Sequence, residues 1–528
     1  MHFTFLIIVY ALYILIKSKK TMQFLQQNRY NRGHKFFKYI KSHLKQIYLN
    51  GELLFIPLIL LMKILKYKYI YLFVILYFVL ILFKLAQYKA EQKKLPLVYT
   101  KRILRLYLTY ICFYTLVFYL DYLFLHENYE IFFYIVLFIS IYFDQLVLIL
   151  INYINAPIEK LIGLYYKYKA SNKLKSMTNT KVIGITGSYG KTSSKNILSD
   201  ILNIKYTAMP TPKNFNTPFG LTMTINNDLD KFNDFFIAEM GACKKGEIKE
   251  LCDLVHPTYG ILTKIGVAHL ETFKTEENIR KTKFELIESL PEDGVGVLNK
   301  DDEKQRTYNG DFKCKILWIG IDNKDVDAYA HDIKLTNKGT TFKVKFNGDK
   351  KDYTFETKLL GKANIYNILA GLALGNYLNI PKEMLINAVK QVKPVEHRLE
   401  LKKYYDMYMI DDAYNANPDG CKMALDVLKL MPGKKIVISS GMIELGSLEE
   451  KLHKELGSYM AKTVNEVILI GKDQTKNIYK GLVESKFKEE NIHVLNNIMD
   501  AFKLVHKLKN GETYILLQSD LPDIFNEK

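Results

Sequence analysis

Apolar residues dominate the first part of the chain, whereas the remainder alternates between short β-branched runs and amphipathic stretches. A helix needs about 20 apolar residues to cross the hydrocarbon core of a bilayer. The runs at 103–125 and 131–154 meet that length, and the run at 52–66 is short. The pattern predicts a membrane domain of about five transmembrane helices over residues 1–155, formed by the runs near 2–17, 52–66, 69–86, 103–125 and 131–154.

The positive charge of the chain is concentrated beside these apolar runs. The formal net charge is +19, and residues 17–45 alone contain nine Lys and Arg and no Asp or Glu. A second basic stretch covers residues 84–105. Basic loops next to apolar helices are typical of the cytoplasmic side of a membrane. We therefore interpret the charge as membrane topology rather than a nucleic-acid surface, and expect a multi-pass protein in the cell membrane with its C-terminal part in the cytosol.

The five cysteines are spaced singly along the chain, without a Cys-x-x-Cys pair or a Cys/His pattern. This spacing does not favour a disulfide framework or a zinc site. It is typical of a protein whose soluble part lies in reducing cytosol.

After a basic linker at 156–180, the sequence "KVIGITGSYGKTSSKNILSDIL" begins at Lys181. Its first six residues predict a strand and its last ten a helix, so the glycines fall at a strand-to-helix turn. Such a turn suits a phosphate loop, in which backbone N–H groups of Gly187, Ser188 and Gly190 approach phosphate oxygens. Lys191 would reach the terminal phosphates, and the Thr192 hydroxyl suits Mg²⁺, with Ser193 next to it. The general phosphate-loop pattern has glycine where Ile185 stands.

The shorter form GxxGKT after an apolar strand resembles the Mur ligase family, and further motifs of that family follow in order. They are "TPKNFNTPFGLTMTI" (211–225), "AEMGACKKGEI" (238–248), "TKIGVAHLETF" (263–273), "KTKFELI" (281–287) and "LNKDD" (298–302). Two more, "IDDAYNANPDG" (410–420) and "GMIELGSLEEKLH" (441–453), are similar to motifs of the members that add D-alanyl-D-alanine, and "HRLE" (397–400) resembles the start of the family's C-terminal domain. The resemblance covers residues 181–528.

The resemblance implies an α/β fold: a phosphate-loop central domain over 181–395 and a Rossmann-like C-terminal domain over 396–528. Apolar stretches such as "KIVISSGM", "EVILIGK" and "TYILLQ" independently favour a mostly parallel sheet in the latter.

The resemblance also implies the chemistry of an ATP-dependent amide ligase with ATP and two Mg²⁺ ions as cofactors. Lys191, His269 and Lys283 match the family's catalytic positions, and Lys283 matches a lysine that becomes carbamylated. The metal positions are matched by Thr192, Glu239, His269 and Lys283. Carbamylation would give Lys283 a negative charge, which suits a metal ligand.

Nucleotide and substrate positions are matched in the same way. Asn299 and Asn367 correspond to nucleotide-side positions, Arg398 to a phosphate contact and Asp412 to a ribose contact from the C-terminal domain. The "DDAYNANPDG" stretch is also a good turn sequence without any ligand. Weaker substrate-binding candidates are Asn214, Asn216, Thr217, Tyr414, Asn415 and Asn417.

Three features depart from the family pattern. Membrane helices and the linker replace the domain of roughly 100 residues that grips the UDP end of the substrate in cytosolic members. Ala363 stands at the histidine position of the family's Gly-x-His-Asn segment, and "YILLQSDLPD" (514–523) lacks a Lys-Gly-Ser motif.

We therefore predict a ligase acting through an acyl phosphate, in peptidoglycan or other cell-wall precursor synthesis. Its carboxylate substrate would be a lipid-linked or UDP-linked muropeptide, and its amine substrate an amino acid or dipeptide such as D-Ala-D-Ala. Two alternatives remain open: a membrane-tethered ATPase motor or sensor of a transport system, and a ligase of the same family in a pathway other than peptidoglycan synthesis.

Overall fold

The computed structural model describes residues 2–27, 30, 40–41, 44–64, 70–90, 96–125, 130–414, 416–443 and 445–519. The chain divides into two compact units, Met1–Leu164 and Tyr165–Lys528. The predicted boundaries after residues 155, 180 and 395 stay predictions.

The N-terminal unit is helical where it is described. Apolar side chains form its core, and many aromatic rings within that core contact one another. Its helices are His2–Gln27, Leu44–Tyr48, the 3₁₀ turn Gly51–Leu54, Phe55–Ile64, Ile70–Ala90, Lys101–Leu125, Glu130–Tyr142 and Asp144–Ile154; the helix Ala156–Ser176 follows.

Two described helices are long and apolar enough to cross a membrane, at Tyr71–Lys89 and Lys101–Leu123. A third span exists only if Tyr134–Tyr142 and Asp144–Ile154, which meet at a 73° bend, count as one. The prediction of five spans is therefore too high for the described residues. The second predicted run forms a helix of only 10 residues, Phe55–Ile64, about 15 Å long, and the first falls partly on residues 1–7, whose side chains lie outside the described part of the chain.

The interior of the N-terminal unit contains charged groups. Lys17 Nζ lies 2.7 Å from Glu52 Oε2, and both side chains are buried. The same ammonium group donates a hydrogen bond to the Ile141 carbonyl oxygen, and the Tyr110 hydroxyl donates one to the Asp144 carboxylate. Burying such groups is costly unless they are paired, so these contacts hold helices of this unit in one arrangement.

The C-terminal unit contains two sheets. The larger has nine strands in the order β2-β3-β1-β4-β5-β6-β7-β8-β9. Neighbours are parallel from β2 to β7 and antiparallel from β7 to β9. These strands are β1 Lys181–Thr186, β2 Ala208–Pro210, β3 Phe235–Glu239, β4 Tyr259–Leu262, β5 Val295–Asn299, β6 Lys315–Gly320, β7 Ala328–Thr336, β8 Gly339–Phe346 and β9 Tyr353–Thr357.

The smaller sheet has six strands in the order β10-β11-β15-β12-β13-β14. Only the β10–β11 pair is antiparallel, which confirms the prediction that three apolar stretches, here β12, β13 and β15, share a mostly parallel sheet. The strands are β10 Glu400–Tyr404, β11 Met407–Asp412, β12 Lys434–Ser439, β13 Glu466–Ile470, β14 Ile492–Leu495 and β15 Thr513–Gln518.

Helices cover both faces of the parallel strands, as the continuous burial of β1, β3, β5, β13 and β15 requires. They are Lys191–Leu202, Pro218–Asn227, Glu247–Val255, Leu270–Phe273, Glu276–Glu288, Glu303–Arg306, Lys362–Tyr377, Lys382–Gln391, Pro418–Lys429, Glu449–Ala461, Lys472–Glu484 and Ile498–Leu508, with 3₁₀ turns Gly446–Leu448 and Glu489–Asn491. The predicted α/β fold of this unit is thus confirmed.

The order of the larger sheet explains how distant motifs meet. The four strands β3, β1, β4 and β5 are neighbours and run parallel. Their carboxyl ends therefore lie along one edge, which is where ligands bind in open α/β sheets. Four predicted features lie at these ends: Glu239 and Asn299 end β3 and β5, and the phosphate loop and the histidine segment follow β1 and β4.

Candidate active site

The phosphate loop, Gly187–Gly190, joins β1 to the helix Lys191–Leu202. Gly187 has φ +151°, and a Cβ atom there would lie 1.9 Å from Thr263 Oγ1, so only glycine fits. Gly190 has φ +79° and precedes the helix. A Cβ atom on Gly190 would lie 3.1 Å from Asn367 Oδ1, which places the predicted Asn367 beside the loop.

Lys191 folds back over this loop. Its Nζ donates hydrogen bonds to the carbonyl oxygens of Gly187, at 2.7 Å, and Ser188, at 3.3 Å. Burial lowers the pKa of Lys191, and the negative charge of Glu239 opposes that shift. The side chain therefore lies where a phosphate group on the loop would meet its charge. Ser193 lies in the first turn of the helix that Lys191 begins.

The carboxylate of Glu239, at the end of β3, accepts hydrogen bonds from other predicted site residues. The Thr192 hydroxyl donates to Oε1 at 3.1 Å, and the Asn216 amide donates to the same atom at 3.2 Å. Lys195 Nζ lies 3.1 Å from Oε2. Glu239 is 1% exposed, and its two oxygens face different groups: Oε1 accepts the two hydrogen bonds, and Oε2 lies beside the Lys195 ammonium group.

The histidine segment, residues 263–269, is attached to the phosphate loop by side chains of the loop. Ser188 Oγ donates to the Gly266 carbonyl at 2.8 Å, and the Tyr189 hydroxyl donates to the Val267 carbonyl at 2.6 Å. His269 has φ +54° and precedes the short helix Leu270–Phe273. The predicted catalytic histidine is therefore two residues from a direct contact with the phosphate loop.

Lys283 lies on the helix Glu276–Glu288 and is 3% exposed. Its Nζ is 5.9 Å from the centre of the Phe273 ring. Burial, and then the positive charge of Lys191, lower the pKa of Lys283 to about 7. A substantial fraction of this amine is thus uncharged at neutral pH, which distinguishes it from a surface lysine.

The segment just before β10 contributes a cation to the same place. The Arg398 guanidinium lies 4.2 Å from the centre of the Tyr414 ring, and the Asn214 amide donates a hydrogen bond to the Tyr414 hydroxyl. Burial lowers the pKa of Arg398, against the charge of Asp412. The charge of Arg398 in turn helps to lower the pKa of Lys191, so both cations face one region.

Asp412, at the end of β11, accepts a hydrogen bond of 3.3 Å from the Leu399 backbone N–H. Burial raises the pKa of Asp412 to about 7, and the charge of Arg398 opposes this rise. The two residues predicted to reach the nucleotide from the C-terminal domain therefore influence each other directly.

On the other side of the loop, Asn299 ends β5 and its Oδ1 accepts the Asp301 N–H at 3.0 Å. The Asp301 carboxylate accepts the Tyr366 hydroxyl at 2.9 Å, one residue before Asn367. Asn367 itself is 7% exposed. The strand end and the helix Lys362–Tyr377 are thereby joined beside the phosphate loop.

Two of the weak substrate candidates have a structural use. The Thr217 hydroxyl accepts the Gly220 N–H at 3.2 Å, and the Asn417 side chain accepts the Gly420 N–H at 2.7 Å. Each residue caps a helix that begins with proline. This capping signal is present in the sequence, although the family motifs did not indicate it. Their substrate contacts stay predictions, and Asn415 lies outside the described residues.

The oxygen donors at this site suit Mg²⁺. Within the described residues, no group of three or more His, Cys, Asp and Glu side chains could hold a metal ion by itself. Mg²⁺ usually binds through one or two carboxylates, with phosphate oxygens and water completing its shell. The buried Glu239 carboxylate and the adjacent Thr192 hydroxyl fit that requirement.

The structure adds residues that the motifs did not indicate. Thr263 excludes any side chain at Gly187, and Lys195 is a buried partner of Glu239. The spacing contained a signal for Lys195, because it lies four residues after Lys191 on one helix and therefore on the same face. Only the fold shows that this face meets a carboxylate.

Two departures from the family pattern can be located. Ala363 lies half-buried in the first turn of the helix Lys362–Tyr377. The stretch 514–523 is described as far as Ser519, whose Oγ donates to the Gly441 carbonyl at 2.9 Å.

The sequence matches two family models. Residues 185–375 match the Mur ligase middle domain, and residues 397–519 match the Mur ligase glutamate ligase domain. Together these segments cover more than half of the chain.

Named relatives and solved structures agree with these matches. The UDP-N-acetylmuramoyl-tripeptide–D-alanyl-D-alanine ligases of Bacillus subtilis and Escherichia coli are 33% and 29% identical over 56% and 55% of this chain. The chain spans 63% and 65% of their lengths, less than two-thirds. The crystal structure of the MurF ligase from Thermotoga maritima in complex with ADP is 26% identical, with a TM-score of 0.60, and covers 68% of this chain and 80% of that one.

Proposed function

Because the chain belongs to the Mur ligase family, we propose that it is an ATP-dependent ligase that joins a carboxylate to an amine and releases ADP and phosphate. The convergence of Lys191, Thr192 and Glu239 at the edge of the larger sheet carries this proposal. The contact of Lys191 with the loop and that of Thr192 with Glu239 provide what phosphoryl transfer from ATP requires: a loop for phosphates, a cation over it and a carboxylate for a divalent metal.

The nucleotide would lie across the phosphate loop, with backbone N–H groups of Gly187, Ser188 and Gly190 facing its phosphates. Thr192 and Glu239 would hold Mg²⁺, which supplies positive charge between the terminal phosphates when bound. His269 and Lys283 would hold a second Mg²⁺. Asn299, Asn367, Arg398 and Asp412 are proposed nucleotide contacts, with Ser193 supporting the first turn of the helix.

The reaction has two steps. A carboxylate oxygen of the substrate attacks the terminal phosphorus of ATP; the new oxygen–phosphorus bond forms as the bond to ADP breaks, which gives an acyl phosphate. The amine then attacks the acyl carbon, phosphate leaves with the oxygen it received, and the nitrogen loses a proton. Lys191 and Arg398 face the negative charge that gathers on phosphate oxygens in both steps, and fixed cations stabilise such charge.

We further propose that Lys283 is carbamylated. A carbamate forms when a neutral amine attacks CO₂ and the nitrogen then releases a proton to solvent, and the pKa of about 7 leaves this amine partly neutral at neutral pH. The product is an anion, which would exchange repulsion by Lys191 for attraction and would present oxygen ligands to Mg²⁺.

The proposed substrates follow the relatives, which are named for a UDP-N-acetylmuramoyl-tripeptide and D-alanyl-D-alanine. We propose that this chain adds D-Ala-D-Ala or a similar amine to a muropeptide carboxylate in peptidoglycan precursor synthesis. Asn214, Asn216 and Tyr414 are the proposed substrate contacts that already touch Glu239 or one another. The carrier of the carboxylate would be either UDP or a lipid.

A lipid carrier is supported by the N-terminal unit. Two helices there are long and apolar enough to span a bilayer, and large apolar side chains such as Phe78, Phe83 and Leu108 are exposed on them. We propose that this unit holds the ligase at the cell membrane with residues 181–395 and 396–528 as its cytosolic ligase domains. Confinement to one surface raises the effective concentration of a lipid-linked substrate.

One experiment tests the proposed reaction. Detergent-solubilised protein is incubated with ATP, Mg²⁺ and D-Ala-D-Ala, together with a UDP-linked or a lipid-linked muropeptide, and the products are identified by mass spectrometry. We expect ADP release that requires both the carboxylate and the amine, and a product enlarged by the dipeptide. Lys191→Ala should lower turnover about a hundredfold or more, while exposed Lys249→Ala should not. ADP release without an amine or carboxylate would indicate an ATPase motor instead.

A further inference from the structure

Lys195 is a buried lysine that the proposed chemistry does not use. It lies one turn after Lys191 on the helix Lys191–Leu202, and its side chain is 1% exposed. Burial lowers the pKa of Lys195, and the charge of Glu239 opposes the shift. Removing a charged group from water is costly, and an apolar residue of similar volume would fill this space without that cost. The contacts that Lys195 makes must therefore account for its burial.

Its first contact is with the carboxylate of Glu239. Lys195 Nζ lies 3.1 Å from Oε2, whereas Thr192 and Asn216 both donate to Oε1. The two oxygens thus have different partners: one faces a fixed cation, and the other faces the first turn of the phosphate-loop helix. This arrangement fixes the rotation of the carboxylate and leaves Oε1 on the side of the phosphate loop.

Its second contact is with the backbone of the asparagine loop, which we define as residues 211–217. Lys195 Nζ donates a 2.5 Å hydrogen bond to the Lys213 carbonyl oxygen. Lys213 has φ +47°, in a backbone region that residues other than glycine rarely adopt. Asn214, the next residue, contacts Tyr414, two residues after the end of β11. One ammonium group therefore joins Glu239 to the loop that carries the proposed substrate contacts.

The positive charges around Glu239 affect how a divalent cation binds to its carboxylate. The pKa values of Lys191 and Lys195 are each lowered in part by the charge of Arg398, and each is raised by Glu239. Three cationic side chains thus act around one carboxylate before any ligand arrives. A free divalent cation that approaches Glu239 meets the positive charge of Lys195, 3.1 Å from Oε2, whereas the phosphates of a nucleotide add negative charge that offsets it.

We propose that Lys195 is a positioning residue that orients Glu239, ties it to the asparagine loop and keeps the affinity of the site for a free divalent cation low until nucleotide binds. This inference rests on the proposed role of Glu239 toward a divalent metal. Lys195 touches neither the phosphate loop backbone nor a proposed substrate contact; it acts through Glu239 and Lys213.

The first test measures Mn²⁺ binding to the full-length protein without nucleotide, by electron paramagnetic resonance of free Mn²⁺. Lys195→Met removes the charge at similar side-chain length. We expect this variant to bind Mn²⁺ at least about tenfold more tightly than the wild type, since a cation beside the ligand carboxylate has been removed. Its kcat should fall at least about tenfold because the asparagine loop is released. Exposed Lys205→Met is the control and should change neither quantity.

Opposite changes of affinity and kcat distinguish this role from simple support of the fold, which would weaken both. Unchanged or weaker Mn²⁺ binding in folded Lys195→Met would overturn the proposal. If neither this variant nor Glu239→Gln alters Mn²⁺ binding, while ATP-dependent ligation by the wild type persists, then the assignment of Glu239 to the metal is wrong and the ligase function stands.

If Lys195→Met does not fold, a second pair of variants tests the proposal. Glu239→Gln keeps the contact of Lys195 with the Lys213 carbonyl, whereas the double variant Glu239→Gln/Lys195→Met removes both buried charges and leaves none unpaired. Amide hydrogen exchange over residues 211–217 should be at least about tenfold faster in the double variant than in Glu239→Gln. Equal exchange rates would show that Lys195 does not hold the loop, and would overturn the proposal.

Discussion

The Thr192 hydroxyl donates a hydrogen bond of 3.1 Å to Oε1 of Glu239, joining the first turn after the phosphate loop to the end of β3. We expect Thr192→Val, which keeps the shape and loses the oxygen, to lower kcat at least about a hundredfold and to raise the Mg²⁺ concentration needed for half-maximal activity. Thr192→Ser retains the hydroxyl and should remain within about tenfold of the wild type. Steady-state ADP release at varied Mg²⁺ checks both variants; similar losses in Val and Ser would argue against a metal role for the hydroxyl.

Lys283→Ala should be nearly inactive and should be rescued in part by formate or acetate. A small carboxylate can replace the carbamate oxygens only if Lys283 normally supplies them. The neighbouring exposed Lys281→Ala should keep its activity and should not respond to formate. If native mass spectrometry and crystallographic density of active wild type, both obtained in bicarbonate buffer, show only unmodified lysine, the carbamate is refuted, whatever the activity of the variant.

Acid should destabilise the C-terminal unit through His453, which lies on the helix Glu449–Ala461. Its Nε2 accepts the Met442 N–H at 2.9 Å, and burial lowers the pKa of His453 from 6.5 to about 4. The unfolded chain then binds more protons between these values, so stability falls as pH drops from about 6.5 to about 4, by up to about 3 kcal/mol.

His453→Gln can still accept the Met442 N–H and cannot titrate. Urea unfolding at several pH values should therefore give a shallower pH dependence for this variant than for the wild type, with exposed His506→Gln as the control. Parallel curves for wild type and His453→Gln would contradict the assignment.

Gly187→Ala tests the closeness of the phosphate loop to Thr263. A Cβ atom there would lie 1.9 Å from Thr263 Oγ1, whereas a Cβ atom on Gly246, also at positive φ, would have no heavy atom of another part of the chain within 4 Å. Both Ala variants incur backbone strain, but only Gly187→Ala also forces an overlap. We expect it to unfold at least about 2 kcal/mol more easily than Gly246→Ala and to lose ADP binding, as measured by denaturant unfolding with and without ADP.

Removal of residues 1–155, which form most of the N-terminal unit, tests what this part contributes. Every proposed nucleotide and metal residue lies beyond residue 180, so the shortened protein should still bind ATP. Its ligation of a lipid-linked muropeptide in vesicles should fall about a hundredfold or more relative to a soluble analogue, since tethering acts through effective concentration. Equal loss on both substrates would mean that the removed part helps to build the site, and no loss on either would leave it only an anchoring role.

Local patterns determined much of the ligase part by themselves. The apolar run of β1, the two glycines after it and the amphipathic stretch beyond Lys191 predicted a strand, a phosphate loop and a helix, because these depend on neighbours within a few residues. The alternation of the apolar stretches of β12, β13 and β15 with helical stretches predicted a mostly parallel sheet. For the N-terminal unit, counting apolar residues gave five spans, because composition does not register the 73° bend after Tyr142 and because the short run at 52–66 was counted as a span.

Only the tertiary structure decided which side chains meet. Glu239 follows the phosphate loop by about fifty residues, and the two approach because β3 pairs with β1 in parallel register. The burial of Lys195 against Glu239 and the lowered pKa of Lys283 beside Lys191 have the same origin. The pKa of a side chain is shifted by desolvation and by groups a few ångströms away. Those groups lie on elements that are distant in the sequence and that only the fold brings together.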